Sequence, residues 1–318
     1  MGILLNTGVR PSKLYSDIAE RRLYPRYGLA LTRIGYASAV LLTLLTNIGD
    51  WRLLWGEDQP WSNVEIPNQV AISNDNFFVL SVIAVCSLSA LTMLLGFYSR
   101  TSTFIVWTTY LTLMRSDPLI SDGGDNVLQI CLLFLAFTRC GDRISIDCSR
   151  KSNKSATAYS RALSNTGWLL IVIQTMILYA TSGLAKVSGE TWRSGEAIAF
   201  TLKSMEFSPW PNLNEWISSL HFPLILAAYA TIFIQVYFPF LILNKKTKNI
   251  TIIALIMFHL GIGLFMGVTS FAIVMIATEM CFLSDRFIRG IARSLRNGMR
   301  SITAKPKTSA EEPSVRSI

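Results

Sequence analysis

The sequence predicts an all-α integral membrane protein, a bundle of about eight transmembrane helices with both termini in the cytoplasm. Three observations lead there. Hydrophobic residues make up 51% of the 318 and charged residues 15%, with a mean hydropathy of +0.41. Soluble domains carry about 25% charged residues, and a chain this poor in charge could not cover a water-facing surface. Apolar runs of the length a bilayer core demands recur along the whole chain. Lysine and arginine are concentrated in every second connection between those runs. Together these exclude a disordered chain, a secreted disulfide scaffold and a soluble enzyme.

The spans are read at 27–49, 77–97, 101–114, 120–137, 167–187, 223–243, 250–268 and 270–285. The third and the eighth are short of the usual ~17 to 25 residues. No signal peptide is expected, since the first apolar run is too long for a signal h-region and ends in Thr46-Asn47-Ile48-Gly49 without a small-residue cleavage pattern. Eight spans put the termini on one side. That side carries 23 of the 29 Lys/Arg and the other carries 4, namely Arg52, Arg115, Arg193 and Lys203. Positive residues stay in the cytoplasm, so residues 1–26 and 288–318 are assigned there. The net charge of +9 is therefore a matter of topology, and no nucleic-acid partner is expected.

The outer connections are acidic and rich in tryptophan. Segments 50–76 and 188–222 hold Trp51, Trp55, Trp61, Trp192, Trp210 and Trp216 beside Asp50, Glu57, Asp58, Glu65, Glu190, Glu196, Glu206 and Glu215. Interfacial tryptophans explain part of this; the remainder suggests loops folded over the membrane surface as the roof of a site. The five cysteines lie outside these loops, form no CxxC pair and are read as free thiols. With two histidines in the chain, no metal site is expected. Segment 138–166 reads as a cytoplasmic linker between two four-span halves. Beyond the last span, Ile288, Ile291, Leu295, Met299 and Ile302 recur at helical spacing with Arg289, Arg293, Arg296 and Arg300 on another face. That is a basic amphipathic helix suited to the anionic inner leaflet, and 304–318 read as disordered.

Ionisable groups inside spans are functional hypotheses by default, and there are four: Arg33, Lys186, His259 and Glu279. Arg33 and Glu279 each lie about 9 Å from the cytoplasmic edge. A buried Arg33–Glu279 ion pair would satisfy both, and separate snorkelling is the alternative. Lys186 ends the fifth span, where Thr175, Tyr179, Ser182 and Lys186 share one polar helix face. An interfacial lysine reaching for water is the plain reading. A lysine withheld from water, by contrast, is the kind that serves as a base near neutral pH. His259 shares a face with Gly263 and Gly267, a packing pattern that turns it into the bundle; a helix-to-helix hydrogen bond is its structural reading. Lys186 and His259 lie at different depths and are not expected to touch. Asp122-Gly123-Gly124-Asp125 opens the fourth span as a helix start.

Tyr179-Ala-Thr-Ser-Gly183-Leu-Ala-Lys186-Val-Ser-Gly-Glu-Thr-Trp192-Arg-Ser-Gly195 is the most specific stretch. It resembles the Gly-x-x-Lys…Trp-x-x-Gly motif of the HTTM (horizontally transferred transmembrane) family, related to the membrane portion of vitamin K-dependent γ-glutamyl carboxylase. Tyr27–Arg33, Gly96-Phe-Tyr-Ser-Arg100, Asp122–Asp125 and Phe258-His259 resemble further parts of that family. The likeness covers about 26–287 and is strongest toward the bacterial sporulation-delaying protein B type, which matures secreted peptide toxins. The resemblance implies Lys186 as a base toward a quinol or peptide group, His259 as its partner, and Tyr179, Gly183, Trp192 and Gly195 as the surrounding shell. It also implies a vitamin K-like quinol cofactor and an exported peptide with a companion maturation protein; the acidic outer loops would favour a cationic peptide, and a multi-pass α-helical bundle implies the bacterial inner membrane. The carboxylase carries a large soluble domain after its membrane part, whereas here 33 residues follow Asp285, which speaks against glutamate carboxylation. A non-catalytic scaffold, immunity or lipid-binding module is the competing reading.

Overall fold

A computed structural model describes residues 21–60, 73–116, 121–150 and 156–303. All regular structure among them is helical. Helices α1 (Arg26–Asn47), α2 (Asn76–Leu95), α3 (Ser99–Ser116) and α4 (Gly123–Phe137) form the first half. The long α5 (Ala158–Ser188) leads into three short helices, α6 (Glu190–Ser194), α7 (Ala197–Lys203) and α8 (Pro211–Ser218). Then follow α9 (His221–Leu243), α10 (Lys248–Phe265), α11 (Thr269–Met280) and α12 (Asp285–Thr303).

Each of the eight expected spans contains a helix. Five of them, α1, α2, α5, α9 and α10, are long and apolar enough to cross a membrane. The 15-residue α4 and 12-residue α11 are apolar but short, about 22 and 18 Å against a hydrocarbon core of about 30 Å. The charged tail beyond 303 and the residues before 21 lie outside the described residues, as does the 61–72 stretch.

The short α11 is central: it packs on α1, α4 and α10. Its polar groups are matched inside the core, where Thr32 Oγ1 donates to the Ala277 carbonyl at 2.7 Å and Tyr36 Oη meets Thr278 Oγ1 at 2.7 Å. Helix α5 packs on α9, and α9 on α10, so a second group of helices encloses space beside α11.

Asp122-Gly-Gly-Asp125 is a reciprocal capping box. Asp125 N–H donates to Asp122 Oδ1 at 2.9 Å and Asp122 N–H to Asp125 Oδ2 at 3.0 Å. The acidic pair thereby satisfies two of the orphan donors at a helix start, and Tyr110 donates to Asp125 from α3.

Two sequence expectations are corrected around the 138–166 segment. Segment 138–166 is not a plain linker: α5 begins at Ala158 and runs about 46 Å, and the turn before it is a docking point for buried arginines. The expected Arg33–Glu279 ion pair does not form. Arg33, fully buried, donates instead to the Ser99 hydroxyl and to the carbonyls of Cys140 and Ile144. Those carbonyls come from a turn that the sequence placed in a linker, and they leave Glu279 free for the other helices.

Arg100 plays the matching part at the end of α4. It donates to the Phe137 and Thr138 carbonyls, at 3.1 and 2.9 Å, and to the Ser160 carbonyl and Ser164 hydroxyl on α5. A cation at a helix C-terminus satisfies orphan carbonyls and the helix dipole together. Arg100→Ala is expected to cost about 1–3 kcal/mol, read as a lowered thermal midpoint of the detergent-solubilised protein. An unchanged midpoint would show that water replaces the guanidinium.

The start of α12 is anchored by Asp285, which accepts from Tyr27 N–H at 2.9 Å and pairs with Arg22 at 3.6 Å and Arg26 at 4.0 Å. At its start Phe287 and Ile288 pack against the core, whereas farther along Ile291 and Leu295 are exposed.

Candidate functional site

The site is assembled around the face of α5 that bears Tyr179, Ser182, Gly183 and Lys186. These positions stack on one side of a helix. Gly183 is where α9 comes closest: a Cβ built there would lie 2.7 Å from Val236 N and 3.0 Å from the Gln235 carbonyl carbon. Only a residue without a side chain lets the two backbones meet at that distance.

Lys186 folds back along its own helix and donates to Ser182 Oγ at 3.0 Å. The chain then turns at Gly189, and the short α6 brings Trp192 back so that its ring centroid lies 5.1 Å from the amine. That is cation–π distance. Gly195 ends α6 at φ +81°, a conformation that side chains resist, and its N–H donates to the Trp192 carbonyl at 3.2 Å. The Gly183–Lys186–Trp192–Gly195 spacing is thus a helix contact, an amine, its aromatic cover and the turn that places the cover. Among the described residues no carboxylate lies within ion-pair distance of Lys186, so the amine has a hydroxyl and an indole for company rather than a counter-ion.

About 10 Å deeper, two turns back along α5, lies a second polar station. Glu279 of α11 is completely buried; its Oε1 accepts from Tyr179 Oη at 2.6 Å and sits 2.8 Å from His259 Nδ1 of α10. The partner of Glu279 is therefore His259 and not Arg33. Tyr179 is held by its ring against Phe238, centroids 4.5 Å apart.

Both stations face one cavity of about 580 Å³, lined by Lys186, Ser182, Trp192, Tyr179, His259 and Gln235 among mostly aliphatic and aromatic walls. Residues of α7 and α8, including Ile198, Leu202 and Ile217, supply part of the lining. Part of the Trp-rich 188–222 segment, Trp192 included, thus lines the cavity. Lys186 and His259 are brought to one space without a hydrogen bond between them. Arg33 lies elsewhere, against the Cys140 and Ile144 carbonyls.

Sequence reasoning missed Gln235. It is 3% exposed, lines the cavity, and its carboxamide makes no hydrogen bond among the described residues, with Oε1 fully enclosed. The available signal was a carboxamide in the apolar run of α9; a search restricted to ionisable groups passes over it.

Comparison with known proteins adds the lineage. The HTTM domain matches residues 23–286, most of the chain. The chain belongs to the HTTM domain family. HTTM membership and the five long apolar helices together make this a membrane protein. The chain is 25% identical over 263 residues to the sporulation-delaying protein SdpB of Bacillus subtilis (strain 168), covering 81% of this chain and 80% of that one. It is 22% identical over 269 residues to YitO of the same strain, covering 81% and 84%. No solved structure matches.

Trp192 offers a check on the HTTM motif. Trp192→Ala removes the ring over the amine and opens the roof. A desolvated cation–π contact is worth about 2 kcal/mol, so any binding or turnover that uses the enclosed amine should fall by roughly 30-fold, and Trp192→Phe should retain more of it. Equal behaviour of the two variants would show that the ring only fills space.

Proposed function

We propose that this protein modifies or matures an exported peptide at the outer face of the bacterial inner membrane, with Lys186 as the base. The supporting observation is the setting of the half-buried Lys186 amine. It faces an apolar-walled cavity under an aromatic cover, with no counter-ion among the described residues, while a histidine fixed by a carboxyl group faces the same space. An interfacial lysine reaching for water would have no need of Trp192 or of a cavity. The likeness to a sporulation-delaying protein favours a peptide rather than a small metabolite as the thing modified.

In this reading the chain crosses the membrane eight times, α4 and α11 included, with both termini in the cytoplasm, in keeping with the 23-to-4 division of basic residues. The acidic outer segments attract a cationic peptide by field complementarity, and a companion maturation protein takes part. Helix α12 lies on anionic lipid through Ile291 and Leu295 with its arginines at the headgroups.

The cavity suits a quinol: its walls are apolar, its volume admits a substituted ring, and the buried Gln235 Oε1 has no hydrogen-bond partner among the described residues. When bound, a quinol supplies redox chemistry that no side chain here offers. Lys186 Nζ would take up a proton at the outer end of the cavity, Trp192 would keep bulk water from the amine, and His259 would hold the deeper end of the bound molecule. Mass spectrometry of peptides exported by cells with and without the gene tests the function directly. A peptide whose mass or abundance depends on the gene is expected. Identical peptide profiles would favour the non-catalytic module.

A further inference from the structure

We propose that Glu279 is a positioning residue that holds His259 in the Nδ1–H tautomer, so that Nε2 and the Gln235 carboxamide together bind a hydroxyl at the buried end of an apolar ligand. The inference rests on reading the cavity as a ligand site but is independent of whether Lys186 is a base.

The tautomer follows from the partners of Nδ1. It lies 3.0 Å from the Leu255 carbonyl and 2.8 Å from Glu279 Oε1. A carbonyl oxygen can only accept, and Oε1 already accepts from Tyr179, so the hydrogen belongs on Nδ1. Nε2 has no hydrogen-bond partner among the described residues. A protonated Nε2 would leave a donor unpaired among apolar walls, which is costly; a bare Nε2 is an acceptor awaiting a donor. The anchoring chain spans three helices: Tyr179 on α5, Glu279 on α11 and His259 on α10.

The ligand chemistry follows from what else lines the cavity. Gln235 shares that lining with His259, and its buried Oε1 has no hydrogen-bond partner among the described residues. A hydroxyl satisfies the pair, because it donates to Nε2 and still exchanges a hydrogen bond with the amide. A carboxylate or phosphate does not fit: it has no hydrogen for Nε2, and Glu279 stands directly behind the imidazole. An apolar molecule without a hydroxyl would leave Nε2 and the amide unpaired in the complex.

The test uses full-length protein in lipid nanodiscs with nitrogen-15 histidine. The chain has two histidines, so His259→Gln assigns the signals. The wild-type spectrum at neutral pH is expected to show His259 protonated on Nδ1 and bare on Nε2. Titration with 4-butylphenol should move the Nε2 signal, its methyl ether should not, and Gln235→Leu should weaken phenol binding about fivefold, the loss of one neutral hydrogen bond. Glu279→Gln, whose amide can donate to Nδ1, should shift the tautomer toward Nε2–H. A wild-type His259 protonated on Nε2 overturns the positioning role, even if the Glu279 variant fails to fold. A phenol that moves nothing, or an ether that acts equally, overturns the ligand assignment. Neither result depends on Lys186, whose own variants test the base.

Discussion

Lys186→Arg is expected to reduce maturation of the exported peptide by about 10²–10⁴-fold, the usual contribution of a positioned general base. Arginine keeps the positive charge, can still stack under Trp192 and can still donate to Ser182, so the contacts seen around Nζ are largely preserved. What it cannot do is give up its proton near neutral pH. Lys186→Met removes charge and base together and should be equally inactive. The measurement is mass spectrometry of exported peptides at matched membrane levels of each variant. Full activity of the arginine form would end the base reading and leave the lysine as a charged anchor for the roof.

Gly183→Val should have the largest structural effect of any single change near the site. Even the first carbon of the new side chain would fall 2.7 Å from a backbone nitrogen of α9. Backbone cannot rotate out of the way as a flexible side chain can. The two helices must separate, and overpacking of this kind costs about 1–3 kcal/mol or more. The separation would also draw Gln235 away from the cavity and loosen Tyr179 from Phe238. The expected result is a lower thermal midpoint in detergent together with loss of 4-butylphenol binding. Gly183→Ala adds that same first carbon and should show a milder form of both defects. A valine variant with wild-type stability would mean that α5 and α9 are not in backbone contact in the membrane.

Much of the architecture could be read along the chain because bilayer burial leaves a one-dimensional trace. A helix that faces lipid must be apolar over its length, and a loop that stays in the cytoplasm collects lysine and arginine. All eight expected ranges contain helices for that reason. The motif around Lys186 was also legible, since Gly183, Lys186, Trp192 and Gly195 lie within one stretch and act through a helix face, a turn and a left-handed residue. Arg33 and Glu279 were misread as a pair. Their similar depth was visible in the sequence, but depth says nothing about azimuth, and the two side chains point to different neighbours. Gln235 stayed hidden because an amide inside an apolar helix carries no charge signal.

The chain by itself therefore determined which segments enter the apolar phase and which short motif folds back over its own lysine. These follow from local hydropathy and from backbone geometry within a few turns. Only the tertiary structure decided that Glu279 meets His259 and Tyr179, that Arg33 is held by carbonyls of the turn before α5, and that two polar stations share one cavity. Those outcomes depend on how far each helix is rotated about its axis when it packs, a quantity set by contacts between segments distant in sequence.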